Sequence, residues 1–228
     1  MKMISQRIFY FLVLPIFFVV VACSVISKDM PQTIVTSNQA DELAHKMLAA
    51  LNSSAYTNTQ FLEWSFRGKH HYKWNKLNGV VWVSWKQNQV ELHTDHIEKS
   101  KVHSKNSNKT NQEIIEKALA YFNNDSFWLV APYKVFDEGV KRSVVSDKGG
   151  TGLKVTYTSG GTTPGDTYIW YLDDHYFPKY YRMWVKIIPI GGLKATWDSW
   201  EKTNQGVLLP TKHKILGLTI DMGEVKAY

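Results

Sequence analysis

The chain has 228 residues with 27 Lys and Arg against 20 Asp and Glu, a formal charge of +7. That surplus is too mild for a nucleic-acid binder, and the single cysteine excludes an internal disulfide, so stability must come from a hydrophobic core. Aromatic residues make up 14%, including 9 Trp and 12 Tyr, side chains that suit walls partly wet and partly greasy.

Lys2 and Arg7 give a basic start, Ile8 to Val21 is an apolar run broken only by Tyr10 and Pro15, and Val20-Val21-Ala22-Cys23 closes it. The run is shorter than the roughly 20 residues a membrane span needs, so it reads as a secretory signal peptide over residues 1–22. Its end resembles the bacterial lipoprotein signal, with Val20 at minus three, Ala22 at minus one and Cys23 at plus one. The resemblance implies diacylation of the Cys23 sulfur, cleavage before it and acylation of the new amino terminus, palmitate being one such acyl group. Two acyl chains meet the requirement for stable anchoring. Lys2 and Arg7 leave with the peptide, which lowers the formal charge to +5. The expected partner is therefore a membrane, and nucleic acid is excluded.

Residues 23–36 are polar, carry Pro31 and show no periodicity, so they read as acylated cysteine plus tether. A single domain is expected over 37–228. Ala40, Leu43, Ala44, Met47, Leu48 and Leu51 recur at helical spacing, predicting a helix over residues 39–51. From Gln60 the period becomes two: Leu62, Trp64 and Phe66 point one way, and Tyr72 and Trp74 repeat the pattern. Asn78-Gly79 is a hairpin signal before Val80 to Lys86, and Val90 and Leu92 follow, giving a four-stranded meander. Residues 95–109, with Lys99, Lys101, Lys105 and Lys109 among Ser and Asn, read as a solvated loop.

Thr110-Asn111-Gln112-Glu113 matches a capping box, and Ile114, Ile115, Ala118, Leu119 and Phe122 continue as the apolar stripe of a second helix. Phe127 to Val130 is a short apolar run ended by Pro132. Six or seven further strands follow, marked by Leu153, Val155 and Tyr157, by the alternation over 166–172, by Pro178 to Val185, by residues 193–200 and 207–215, and from Leu218 towards Val225. The order predicts an α+β fold: a long curved antiparallel sheet of about ten or eleven strands, an unclosed half-barrel whose concave side is covered by two helices.

Catalytic signatures are weak. His93-Thr94-Asp95-His96 and His70-His71 are the best metal candidates, yet no cysteine or HExxH helix supports them. Asp173-Asp174 falls in a turn, where Asp is favoured for backbone reasons. The runs at Gly149 and Gly160 match no phosphate loop, and no GxSxG elbow is present. No enzyme activity, cofactor or metal is expected.

The element order, the stretch from Asn124 to Lys134, and Thr167-Tyr168-Ile169-Trp170-Tyr171-Leu172-Asp173 followed by Pro178 and Arg182-Met183-Trp184 resemble the periplasmic lipoprotein-carrier superfamily (LolA/LolB-like), most closely its uncharacterised lipoprotein relatives. What the resemblance implies is a half-barrel with a helical lid over a cavity for acyl chains, in a protein anchored in the bacterial envelope, at the outer membrane facing the periplasm. Cys23 departs from the free-moving carrier and agrees with the membrane-bound receptor type. Arg67 lies on an early strand, where the carrier's cavity arginine belongs, with different flanking residues. A greasy cavity leaves no short motif, which fits a sequence poor in motifs. The candidate wall is Leu62, Trp64, Phe66, Trp82, Trp85, Trp170 and Trp184, binding a hydrophobic small molecule or lipid. Trp82 and Trp85 differ in parity, so both face inward only across a bulge. The competing reading is an interaction or sensor module with a solid core, docking other envelope proteins on its sheet.

Overall fold

The computed structural model describes residues 29–36, 38–105, 108–159, 163–186, 188 and 190–228. The expected signal peptide, its expected cleavage boundary and Cys23 lie outside them. β1 (Thr33–Thr36) precedes α1 (Asn38–Ala50) and the short α2 (Ser53–Asn58). A meander follows: β2 (Phe61–Phe66), β3 (His70–Asn75), β4 (Val80–Trp85) and β5 (Asn88–His93), then a 3₁₀ turn and β6 (Lys101–Ser104). α3 (Asn111–Val130) runs into a second 3₁₀ turn over Ala131–Lys134. The rest is strand: β7 (Val140–Asp147), β8 (Gly150–Tyr157), β9 (Thr167–Leu172), β10 (Pro178–Trp184), β11 (Leu193–Thr196), β12 (Asp198–Lys202), β13 (Leu208–Ile215), β14 (Leu218–Asp221) and β15 (Lys226–Ala227).

Every strand pairing is antiparallel, in two runs: β1-β7-β8-β9-β10-β11-β13, with β12 and β14 also on β13, and β15-β2-β3-β4-β5-β6. The chain from β14 to β15 stitches the two together. On one side Lys212 lies opposite Asp221 and the Met222 amide donates to the Thr211 carbonyl at 2.8 Å. On the other, the Ser65 and Arg67 amides donate to the Met222 and Asp221 carbonyls at 2.9 and 2.7 Å, and Lys226 pairs with Glu63. The result is one long curved sheet whose outermost strands, β1 and β6, do not meet. This is the unclosed half-barrel that the alternating patterns predict.

Among the described residues fifteen strands stand where ten or eleven were expected. Two long strands are interrupted. β11 and β12 keep one register against β13 across Trp197, with Ala195 opposite Ile215 and Asp198 opposite Lys212, and β14 and β15 are halves of one strand kinked at Gly223. The other two arise where polar composition hid pairing. Thr33–Thr36, read as tether, bonds to β7, and Lys101–Ser104, read as loop, bonds to β5. A third helix, α2, also appears where the sequence marks only a helix end.

The helices face the sheet with the residues their spacing selects. α1 buries Ala40, Ala44 and Met47, and α3 buries Ile114, Ile115, Ala118, Phe122, Leu129 and Val130. The capping box forms: the Glu113 amide donates to Thr110 Oγ1 at 3.3 Å, and the Thr110 amide donates to the Glu113 carboxylate at 2.8 Å. α3 does not stop near Phe122 but continues through Asn123-Asn124-Asp125-Ser126 to Val130. The reason is tertiary. Asp125, 1% exposed, points inward to accept from Tyr72 Oη at 2.5 Å, and His70 Nδ1 lies 2.7 Å from the same oxygen. A buried carboxylate with this many partners holds the helix through residues of low propensity. Among the described residues no helix is long and apolar enough to cross a membrane.

Candidate functional site: a cavity between sheet and helix

A cavity of about 700 Å³ lies between the C-terminal half of α3 and the sheet. α3 contributes Phe122, Phe127 and Trp128, β3 contributes Trp74, and the opposite half of the sheet contributes Tyr157, Tyr168, Tyr181 and Met183. The lining rings lie in contact in places, with Phe127 4.3 Å from Tyr168 and Trp74 5.2 Å from Phe122 between centroids. Its mouth is polar, carrying Lys76, Asp95, Lys134, Asp137 and Glu138.

Strand parity explains which aromatics reach this space. On β2 the even residues turn inward, and Leu62 and Trp64 are buried with Phe66 packed beside them. On β4 the odd residues do, so Val81, Val83 and Trp85 are buried. Trp82 thus lies on the convex face, 4.8 Å from the His103 ring, with no bulge to turn it. On β10 Tyr181 and Met183 point inward while Tyr180, Arg182 and Trp184 point outward. Trp184 packs on the outer cluster of Val145, Ile169 and Tyr171.

None of the seven expected wall residues lines the cavity. Trp82 and Trp184 are on the wrong face. Leu62, Trp64, Phe66, Trp85 and Trp170 face inward but are taken up by core packing: Trp64 stacks on Tyr72 at 4.6 Å, Trp85 meets Tyr121 edge-on at 5.6 Å, and Trp170 stacks on Trp197 at 5.3 Å. Arg67 is an exposed turn residue at φ 54° and does not enter the cavity. Phe127 and Trp128 were legible as an apolar run, but their role follows only from α3 extending that far. Trp74, Tyr168, Tyr181 and Met183 carried the right alternation without any signal separating wall from core.

Two polar atoms of the lining rings, Trp74 Nε1 and Tyr181 Oη, are buried without a partner. Burial pushes the Tyr181 phenol well above its ordinary range, so it stays protonated and able to donate. Tyr157 and Tyr168 are pushed up by the same cause. The aromatic wall thus carries hydroxyls, and Asp166, which also lines the cavity, accepts from Thr163 Oγ1 and from the Lys186 amide.

The histidines take structural roles. His93 Nε2 and His103 Nε2 each lie 3.1 Å from a Glu91 oxygen, and these hydrogen bonds hold the Glu91 carboxyl below its usual range. No group of three or more His, Cys, Asp or Glu among the described residues could hold a metal. Asp173 caps its turn, accepting from the His175 and Phe177 amides at 2.9 Å.

No family model matches the chain, and no curated protein matches it. Among solved structures it is similar to a DUF1329 family protein from Desulfovibrio piger ATCC 29098 at 12% identity and a TM-score of 0.38, over 82% of this chain and 92% of that one. A likeness of that size adds nothing to the geometry, and the functional reading rests on the cavity.

Proposed function

We propose that this protein binds a hydrophobic ligand, a lipid or an acyl chain including that of a lipoprotein, in the half-barrel cavity, as a non-enzymatic bacterial envelope protein held to the membrane through acylated Cys23. The observation that carries the reading is the cavity itself: about 700 Å³, ringed by aromatics and open through a polar mouth. That volume falls within the span of roughly 300–1,000 Å³ typical of small-molecule sites. Each methylene moved from water onto such a wall gains about 0.8 kcal/mol, so a chain of a dozen carbons binds with few polar contacts. The mouth lets a charged or polar head remain at the surface while the tail is buried.

Native mass spectrometry of the full chain carrying Cys23→Ser, together with displacement of a fluorescent fatty acid, tests it. Co-purified acyl species and a saturable signal are expected; an empty protein with no dye binding would sink the reading. The anchor is tested separately by metabolic acyl labelling. The wild-type chain is expected to take up label and Cys23→Ser to take up none, and persistent labelling would locate the lipid elsewhere.

A further inference from the structure

One charge at the cavity mouth lacks a counter-ion among the described residues. Lys76 follows β3 and lines the cavity, half-buried. Its ammonium sits 3.7 Å from the centre of the Tyr56 ring and donates to the Tyr56 carbonyl, with no carboxylate of the described residues within ion-pair distance. The platform beneath is rigid: Tyr56 stacks on Tyr133 at 4.2 Å, and Tyr133 donates to the Leu51 and Leu208 carbonyls. An ammonium has three protons to place, and a carbonyl and a ring face do not neutralise it. Burial, aided by the Lys134 charge, lowers its pKa to about 8.

Three of the four carboxylates lining the cavity are already engaged. Asp137 pairs with Lys134, Asp95 accepts from Thr94 Oγ1 at 3.2 Å, and Asp166 is held by Thr163 and the Lys186 amide. Glu138 lies exposed at the rim. The mouth therefore offers one half-buried cation, Lys76, beside an aromatic lining, while Lys134 is already paired with Asp137.

We propose, resting on the reading of the cavity as a lipid site, that the ligand is an amphiphile with an anionic head, a carboxylate or a phosphate, seated on the Lys76 ammonium while its tail lies along Phe127 and Tyr168. A charge-assisted contact in this partly desolvated position is stronger than a neutral one, so the site selects for the head as well as the tail.

Calorimetric titration of the full chain carrying Cys23→Ser with dodecanoate, dodecyl phosphate and dodecanol tests this. At neutral pH the better anion is expected to bind about tenfold tighter than the alcohol, and whichever anion is tighter names the source, free fatty acid or phospholipid. Lys76→Met should bring that anion to the level of dodecanol while leaving dodecanol unchanged, and Lys76→Arg should keep the preference. Anion affinity should also fall as pH rises above about 8, where the free site loses its proton. A preference that survives Lys76→Met, or dodecanol binding as tightly as both anions, overturns the inference and leaves the lipid cavity standing. Binding of none of the three overturns both.

Discussion

His213 shows how a single side chain inside the half-barrel couples the protein to pH. It is fully buried on β13, its ring 5.3 Å from Trp128 and 4.9 Å from Trp197, and its Nδ1–H donates to the Thr196 carbonyl at 2.9 Å. Burial lowers its pKa to about 4 from an ordinary 6.5. The folded state therefore keeps it neutral, whereas the unfolded chain takes up a proton below about pH 6.5. Stability is expected to fall as pH drops from about 6.5 to 4, by up to about 3 kcal/mol from this group. Urea denaturation at several pH values checks it: His213→Gln should flatten the slope of the wild type over that window, and parallel slopes would show that the ring does not titrate as described. Nothing in the sequence marks His213 out. Spacing draws attention to His70-His71 and to His93 and His96, while burial at position 213 depends on its sharing a strand face with Leu209 and Thr211, a register the sequence leaves open.

At the scale of elements, beginnings were more legible than ends. A helix start is written locally in cap residues, and Thr110 and Glu113 form the reciprocal pair their spacing predicts. Thr110→Ala is expected to cost about 1 kcal/mol in denaturant unfolding, with faster hydrogen exchange confined to the first turn of α3. A loss spread evenly along the helix would argue that the cap acts on the whole element. The end of α3 is set by Asp125 and its distant partners Tyr72 and His70, which no local window contains. Burial, together with the Asp125 carboxylate, holds the Tyr72 hydroxyl well above its ordinary range and so fixes it as donor. β1 and β6 were missed for a related reason. Edge strands bury little, so Thr33–Thr36 and Lys101–Ser104 need no apolar alternation to pair.

For the whole molecule, the order of strands and helices gives an open antiparallel half-barrel, and that much was legible because period-two patterns separated by turn signals leave few alternatives. The cavity wall was not, because wall and core share one face and one chemistry. The seam between the two halves turns on Gly223, where φ is +66° and an added Cβ would stand 2.2 Å from Ser65 Oγ. Gly217 has a similar φ of +77° with nothing within 4 Å. Gly217→Ala should therefore cost only the left-handed penalty, about 1–2 kcal/mol. Gly223→Ala should cost clearly more in the same urea titration, and equal losses would mean the seam yields freely. The seam also bears on how the protein comes to exist. Its joining strand, residues 218–227, follows in the chain every strand it joins, and it meets Ser65 across a separation that makes folding slow. During vectorial synthesis the two halves wait for that strand. A cavity walled by both takes its shape only after they close, so it belongs to the finished fold and to neither half alone.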